Sequence, residues 1–236
     1  MKRSLEQCLK LLEEVVAAEP NNYEALVYLS RGNYLLADGH YDDEKNKLNY
    51  WQVGLSYGEK ALATNKDFYK KTVEEKVAVE EALDTLTKNE VEAIYWTAVN
   101  LGKWSKLTGV LKAMKYKAKV QKLVKKVEEL NPEFFFGAVH RYWGTYYAVA
   151  PFFAGGSLEK SLEQYTKTLQ IANNYLGSHV LFAENYAVKK GDKELFKKEL
   201  EFVLNADVNA VPEIRAENAI EKKKAEKLLS KMNEVF

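Results

Sequence analysis

The residues best suited to chemistry in this sequence are three histidines, one cysteine and a short acidic stretch. His140 and His179 occupy matching positions in two similar segments, which predicts core groups that meet between helices rather than metal ligands. The acidic stretch at 38–44 lacks the ligand order and central glycine of a calcium loop. Cys8 has no second cysteine and no base at a recognisable spacing. We therefore predict no metal, no cofactor and no enzymatic activity.

Aromatic and amide side chains form a more promising pattern for binding. Trp96, Asn100 and Trp104 follow one another at four-residue steps and share one helix face. Two indole rings flanking an amide could hold an apolar body and orient one polar end of it. The alternative is core packing, with the amide of Asn100 bonded to backbone between helix hairpins.

A second aromatic group runs from Phe134 to Phe153 and contains nine aromatic residues. Within it, Tyr147 has the spacing of a residue that fills a groove between helices. Phe152 and Phe153 follow a proline and precede two glycines, so we expect a turn whose rings face a ligand or partner. Arg141 is predicted either to supply a countercharge to a bound carboxylate or to face solvent.

Asn185 and Tyr186 repeat the pairing of an amide with an aromatic ring one hairpin later. Equivalent places in consecutive hairpins would line one surface, so we predict a mostly uncharged cavity or groove that suits a hydrophobic guest. The predicted lining consists of Trp96, Asn100, Trp104, Arg141, Tyr147, Phe152, Phe153, Asn185 and Tyr186.

The elements that must position these residues are helices. Apolar residues recur at steps of three and four along nearly the whole chain, and no comparable run alternates with period two. We predict an all-α fold in a single domain, residues 1–236, made of about four stacked helix hairpins between N- and C-terminal capping helices. The predicted hairpins span 23–65, 90–130, 132–173 and 175–209, and the last helix spans 213–235.

Small residues in these hairpins indicate how the helices pack. Gly32, Gly144 and Ala183 each follow a large residue in a repeated spacing, which predicts close approach of paired helices in degenerate tetratricopeptide-like repeats. Ser157 precedes a helical segment and is expected to cap it. The charged stretch 66–90 is expected to form an exposed hairpin arm or a bent helix.

Charge excludes several classes of partner. The chain has 35 basic and 34 acidic residues and a net charge of +1, so we predict no nucleic-acid partner. Its 47% hydrophobic content is typical of a globular protein. No stretch reaches the roughly 18 apolar residues that a membrane-spanning helix needs.

Three segments together resemble the T-component family of TRAP transporters, the tripartite ATP-independent periplasmic transporters. These segments are residues 92–104, with a Tyr-Trp pair followed by Asn100 and Trp104, residues 140–157, which end in Gly-Gly-Ser, and residues 175–187, which contain Ala-Glu-Asn-Tyr. The resemblance runs from about residue 12 to residue 209. It implies a non-catalytic, tetratricopeptide-like component that docks with the transporter's solute-binding protein, shelters an apolar ligand and self-associates into a homo-oligomer.

The resemblance also implies a periplasmic protein that is lipid-anchored at full length. The residues Leu5-Glu6-Gln7-Cys8 carry a charge and an amide where a lipobox has small residues, and no secretion signal is recognised near them. The alternative function is a generic helical-repeat scaffold that takes a peptide or partner helix in its concave groove. A neighbouring gene for a solute-binding protein would favour the transport role.

Overall fold

The computed structural model describes residues 2–236, and every regular element in that range is helical. This confirms the prediction of an all-α fold. The chain divides into two compact units, Met1–Pro132 and Glu133–Phe236. The single helical-repeat domain over residues 1–236 stays a prediction.

The first unit consists of helices that pack against one another nearly in chain order. They are α1 (Lys2–Ala18), α2 (Tyr23–His40), α3 (Glu44–Leu62), α4 (Lys66–Tyr69), α5 (Val91–Thr108) and α6 (Val110–Leu130). The principal contacts join α1 to α2, α2 to α3, α3 to α5, and α5 to α6. As a result, α5 is covered by α2, α3 and α6, and nine of its residues are buried.

Side-chain caps fix where the helices of the first unit begin. The Oδ1 atom of Asn22 accepts a hydrogen bond of 3.0 Å from the backbone N–H of Ala25, and Asp43 accepts one of 2.9 Å from Asn46. These bonds satisfy donors that the first turn of a helix leaves without a partner. The helix starts are therefore encoded locally in the sequence.

The segment 66–90 is not the exposed arm that the charge pattern predicts. After α4 the helix widens into a π-helical turn at Lys70–Glu74, and three 3₁₀ turns follow before α5. Phe68, Leu83 and Leu86 are buried, so a few apolar anchors hold this charged segment onto the unit. Of the two expected forms, a separate exposed arm is not found, because these anchors hold the segment onto the unit. The helix that widens at Lys70–Glu74 is nearer to the expected bent helix.

The second unit contains the aromatic segment and the C-terminal helices. They are α7 (Phe134–Val149), α8 (Leu158–Ile171), α9 (Leu176–Leu181), α10 (Val188–Lys190), α11 (Lys193–Asn205), α12 (Arg215–Ser230) and α13 (Met232–Val235). A π-helical segment, Phe182–Ala187, joins α9 to α10. The helix predicted at 213–235 is present as α12 and α13, which are separated at Lys231.

The predicted hairpins coincide with helix pairs that pack together: α2 with α3, α5 with α6, α7 with α8, and the segment 176–190 with α11. Their resemblance to tetratricopeptide repeats stays a prediction. Gly144 behaves as predicted, because a Cβ atom there would lie 3.0 Å from the ring of Tyr165 on α8. Gly32 does not, because a Cβ there would meet Leu9 of α1 at 2.5 Å rather than the hairpin partner α3.

Candidate functional site

Trp96 and Asn100 lie on the buried side of α5. The amide Nδ2 of Asn100 donates to the carbonyl oxygens of Trp96 at 2.9 Å and of Ser30 at 3.2 Å, and the Ser30 hydroxyl oxygen lies 3.3 Å away. Asn100 has no solvent exposure, and the Trp96 ring lies 5.6 Å from that of Tyr34. In this structure the amide joins α5 to α2, which corresponds to the core-packing alternative.

Two glycines of α3 allow the close contact around Asn100. A Cβ atom on Gly54 would lie 2.6 Å from Oδ1 of Asn100, and one on Gly58 would lie 2.4 Å from Oγ1 of Thr97. The hydroxyl of Ser30 donates to the Gly54 carbonyl at 2.7 Å. Neither glycine is among the residues predicted for the site, although their four-residue spacing on one helix face is the signal that could have identified them.

Trp104 is more exposed to solvent than Trp96 and Asn100, which are both buried. It is half-buried, and its ring lies edge-on to that of Tyr116 on α6, with 5.9 Å between the ring centroids. The ammonium of Lys112 lies 5.9 Å from the Trp104 ring. A four-residue step turns about 40° further around a helix, so two steps carry Trp104 from the buried core towards α6.

Phe152 and Phe153 lie on a short 3₁₀ turn between α7 and α8, as predicted, and each is 91% exposed. The backbone N–H of Gly156 donates to the Pro151 carbonyl at 3.0 Å, and the Tyr146 hydroxyl donates to the Ala154 carbonyl. A Cβ on Gly156 would lie 1.8 Å from a backbone oxygen, so only glycine fits there. A tightly bonded turn therefore presents two water-exposed rings.

Tyr147 belongs to a group of stacked rings along α7. It is half-buried, its ring lies 5.9 Å from that of Trp143, and the ammonium of Lys160 on α8 lies 5.7 Å from it. Tyr142 stacks on Tyr146 with an interplanar angle of 4°. Burial, and to a smaller extent the neighbouring Tyr146, raises the pKa of Tyr142 well above its ordinary value. The Tyr142 hydroxyl is therefore neutral near pH 7.

Arg141 points into the second unit and does not face solvent. Its guanidinium donates to the carbonyl of Phe135 at 2.7 Å and to that of Phe136, and it lies 3.9 Å from the ring centroid of Tyr175. The residues that it holds, Phe135, Phe136 and Gly137, have left-handed backbone conformations. Of the two alternatives for Arg141, exposure to solvent is contradicted, since the side chain is 4% exposed and stabilises this turn. The role as a countercharge stays a prediction.

Asn185 and Tyr186 lie in the π-helical segment. A π-helical turn lengthens the backbone hydrogen-bond step, so it leaves a carbonyl that side chains can reach. The Leu181 carbonyl accepts bonds from Nδ2 of Asn185 at 2.9 Å and from the hydroxyl of Tyr165 at 3.0 Å. Tyr186 is buried in a cluster with Tyr165 and Phe182. No pattern of residues in the sequence predicts this π-helical turn.

The two histidines that we expected to meet have different partners. Nδ1 of His140 lies 2.8 Å from the Gln164 side chain. His179 is buried, with Nδ1 at 2.6 Å from a Glu199 carboxylate oxygen and Nε2 at 3.0 Å from the Asn173 carbonyl. Since a carbonyl oxygen only accepts, Nε2 of His179 donates to Asn173. Among residues 2–236, no three His, Cys, Asp or Glu side chains lie close enough to hold a metal ion.

The family model described as TRAP transporter T-component matches residues 2–236, which is essentially the whole chain. A comparison with curated proteins gives no match. Across the part of the chain that the structure describes, no helix combines the length and the apolar character needed to cross a membrane.

Proposed function

Because this chain belongs to the T-component family of TRAP transporters, we propose that it is a non-catalytic accessory component that docks with the transporter's solute-binding protein through the Phe152–Phe153 turn. The observation that carries this proposal is the 91% exposure of both rings on a turn that is held by backbone hydrogen bonds. Aromatic side chains presented by a rigid turn lose little conformational freedom on binding. We place this docking on the periplasmic side, with the full-length protein lipid-anchored.

Titration calorimetry with the solute-binding protein of the same transporter tests the docking. The double variant Phe152→Ser/Phe153→Ser should weaken Kd by at least about tenfold, because central aromatic anchors are worth about 2 kcal/mol or more. Its melting temperature should be unchanged, since neither ring is buried. Leu11→Ser is the matched control, because Leu11 is an exposed apolar side chain on α1. An unchanged Kd for the double variant would overturn the docking site.

We also propose that a hydrophobic ligand binds beside the ring group of α7. In the second unit, the Phe152–Phe153 turn is exposed and Tyr147 is half-buried, so these members of the predicted lining can be reached from solvent. Roles of Trp96, Asn100, Arg141, Asn185 and Tyr186 at such a site would require their present contacts to open. An apolar fluorescent probe should bind the wild-type chain and bind Tyr147→Ala and Phe152→Ala variants at least about fivefold more weakly. Equal binding by all three proteins, with folding intact, would remove this proposal.

We also propose that the chain self-associates, and the alternative to the transporter role is a generic scaffold function. Light scattering on the protein as it elutes from a size-exclusion column should show a mass above the 27.0 kDa of one chain.

A generic scaffold would bind unrelated peptides or helices in a concave groove rather than the solute-binding protein. Failure of the wild-type chain to bind the solute-binding protein, together with specific capture of a peptide, would favour that alternative.

A further inference from the structure

A strong local positive charge lies on α5 and α6, although the whole chain has a net charge of only +1. Between Glu92 and Glu128 the sequence contains nine lysines and no acidic residue. Three of these lysines form ion pairs: Lys103 with Asp38 at 2.6 Å, Lys119 with Glu59 at 3.3 Å and Lys126 with Glu129 at 3.9 Å. The exposed lysines of α6 form a positive region that the overall composition does not reveal.

The outward face of α6 carries part of this charge. Lys115, Lys122 and Lys125 are exposed, and steps of seven and three residues keep them on one side of the helix. The opposite side of α6 holds the buried Val120, Leu123, Val124 and Val127. The three ammonium groups therefore project away from the first unit.

The same face carries large apolar side chains at its N-terminal end. Leu111 is 84% exposed and Met114 is 69% exposed, and the adjacent Val110 is 75% exposed. A groove would shield its own lining, so these values describe side chains that protrude into solvent. Exposed apolar side chains that are grouped together indicate an interaction surface.

We propose that this face of α6, defined by Leu111, Met114, Lys115, Lys122 and Lys125, binds the surface of an anionic phospholipid membrane. Protruding apolar side chains can enter the boundary between headgroups and acyl chains, while lysines remain at the phosphates. A peptide partner would instead need a concave lining, and the exposures of Leu111 and Met114 argue against one. The inference does not depend on docking by the Phe152–Phe153 turn or on a covalent lipid.

Vesicle co-sedimentation of the 236-residue chain, produced without lipid modification, tests the proposal. The chain should bind vesicles of phosphatidylcholine with about one-third phosphatidylglycerol and should not bind pure phosphatidylcholine. Raising salt from about 0.05 M to about 0.5 M should release it, because exposed charges are screened. Binding to neither vesicle, or equal binding to both, would overturn the proposal.

Matched variants locate the binding face. The triple variant Lys115→Gln/Lys122→Gln/Lys125→Gln should weaken vesicle binding at least about tenfold, since each lysine near an anionic surface contributes about fivefold. The triple variant Lys189→Gln/Lys198→Gln/Lys223→Gln removes the same charge from exposed positions of the second unit and should bind like wild type. Equal weakening by both triple variants would show a net-charge effect and overturn the assignment to α6.

The apolar contribution has a separate readout. In a Cys8→Ser background, an environment-sensitive dye on Met114→Cys should shift to the blue when anionic vesicles are added, and the same dye on Lys198→Cys should not. If the dye at position 114 shows no shift, the apolar side chains of α6 do not enter the membrane. Wild-type binding to a soluble polyglutamate, without binding to vesicles, would identify an acidic protein as the partner and contradict the membrane.

Discussion

The guanidinium of Arg141 lies 3.9 Å from the ring centroid of Tyr175 while its nitrogens donate to the carbonyls of Phe135 and Phe136. One side chain therefore joins a left-handed turn at the start of α7 to the residue that precedes α9. Left-handed conformations cost about 1–2 kcal/mol for each residue with a Cβ atom. The bonds from Arg141 offset that cost.

Replacement of Arg141 should destabilise the second unit. An ammonium cannot donate in a planar fork to two carbonyls while stacking on a ring, so Arg141→Lys should lower the free energy of unfolding by about 2–4 kcal/mol. Urea denaturation measures the loss. Arg215→Lys is the control, because Arg215 is exposed on α12 and its replacement should change stability by less than about 0.5 kcal/mol. Equal stability of both variants would contradict the role of Arg141.

The contact between α3 and α5 should tolerate no side chain at Gly58. Gly58→Ala would place Cβ 2.4 Å from Oγ1 and 3.2 Å from Cα of Thr97, and we expect a loss of about 1–3 kcal/mol. Adding Thr97→Ala should recover part of the lost stability, because it removes the Oγ1 atom that the new Cβ would contact. The recovery should be incomplete, because the contact with Cα of residue 97 remains. In Gly102→Ala the nearest atom lies at 3.7 Å, so this control should be neutral or stabilised by up to about 1 kcal/mol. If thermal unfolding shows Gly58→Ala to be more stable than Gly102→Ala, this packing is contradicted.

The cap of α11 should contribute a pH-dependent stability. The backbone N–H of Leu195 donates to Asp192 at 3.0 Å, and this bond, followed by Lys190 at 3.1 Å, holds the pKa of Asp192 below its ordinary value. A lowered folded pKa means that the contribution is present above the unfolded pKa of about 3.9 and is lost as pH falls through the folded pKa. Asp192→Asn keeps the capping oxygen without the charge. The wild type should melt higher than this variant at pH 7, and the difference should disappear in acid. A difference independent of pH would show that the charge contributes nothing.

Relief of backbone strain at Lys76 should stabilise the protein. Lys76 is exposed and has a φ of 59°, in the left-handed region that favours glycine. Lys76→Gly should raise the free energy of unfolding by about 0.5–1 kcal/mol. Lys198→Gly, inside the regular helix α11, should lower it by about 1 kcal/mol. If chemical denaturation shows both glycine variants to be destabilised, Lys76 is not strained.

Several features were predictable from the sequence because they depend on neighbours within one or two helical turns. The helical period gave the all-α fold and the positions of the hairpins. Ser157 caps α8 as predicted, with its hydroxyl accepting from the N–H of Lys160 at 3.3 Å. The exposed turn at Phe152 and Phe153 follows from the proline and glycines around it. Each of these features is determined by local sterics and local hydrogen bonds.

The partners of the buried polar groups were decided only by the tertiary structure. Asn100 bonds to Ser30, which lies 70 residues earlier, and Gly54 makes room for that contact. Arg141 lies inward because its guanidinium bonds to the carbonyls of two left-handed residues, Phe135 and Phe136, and Asn185 bonds to a carbonyl that a π-helical turn leaves accessible. An amphipathic pattern fixes which side of a helix is buried, but the helices that meet there, and the polar atoms they bring, depend on packing across the whole unit.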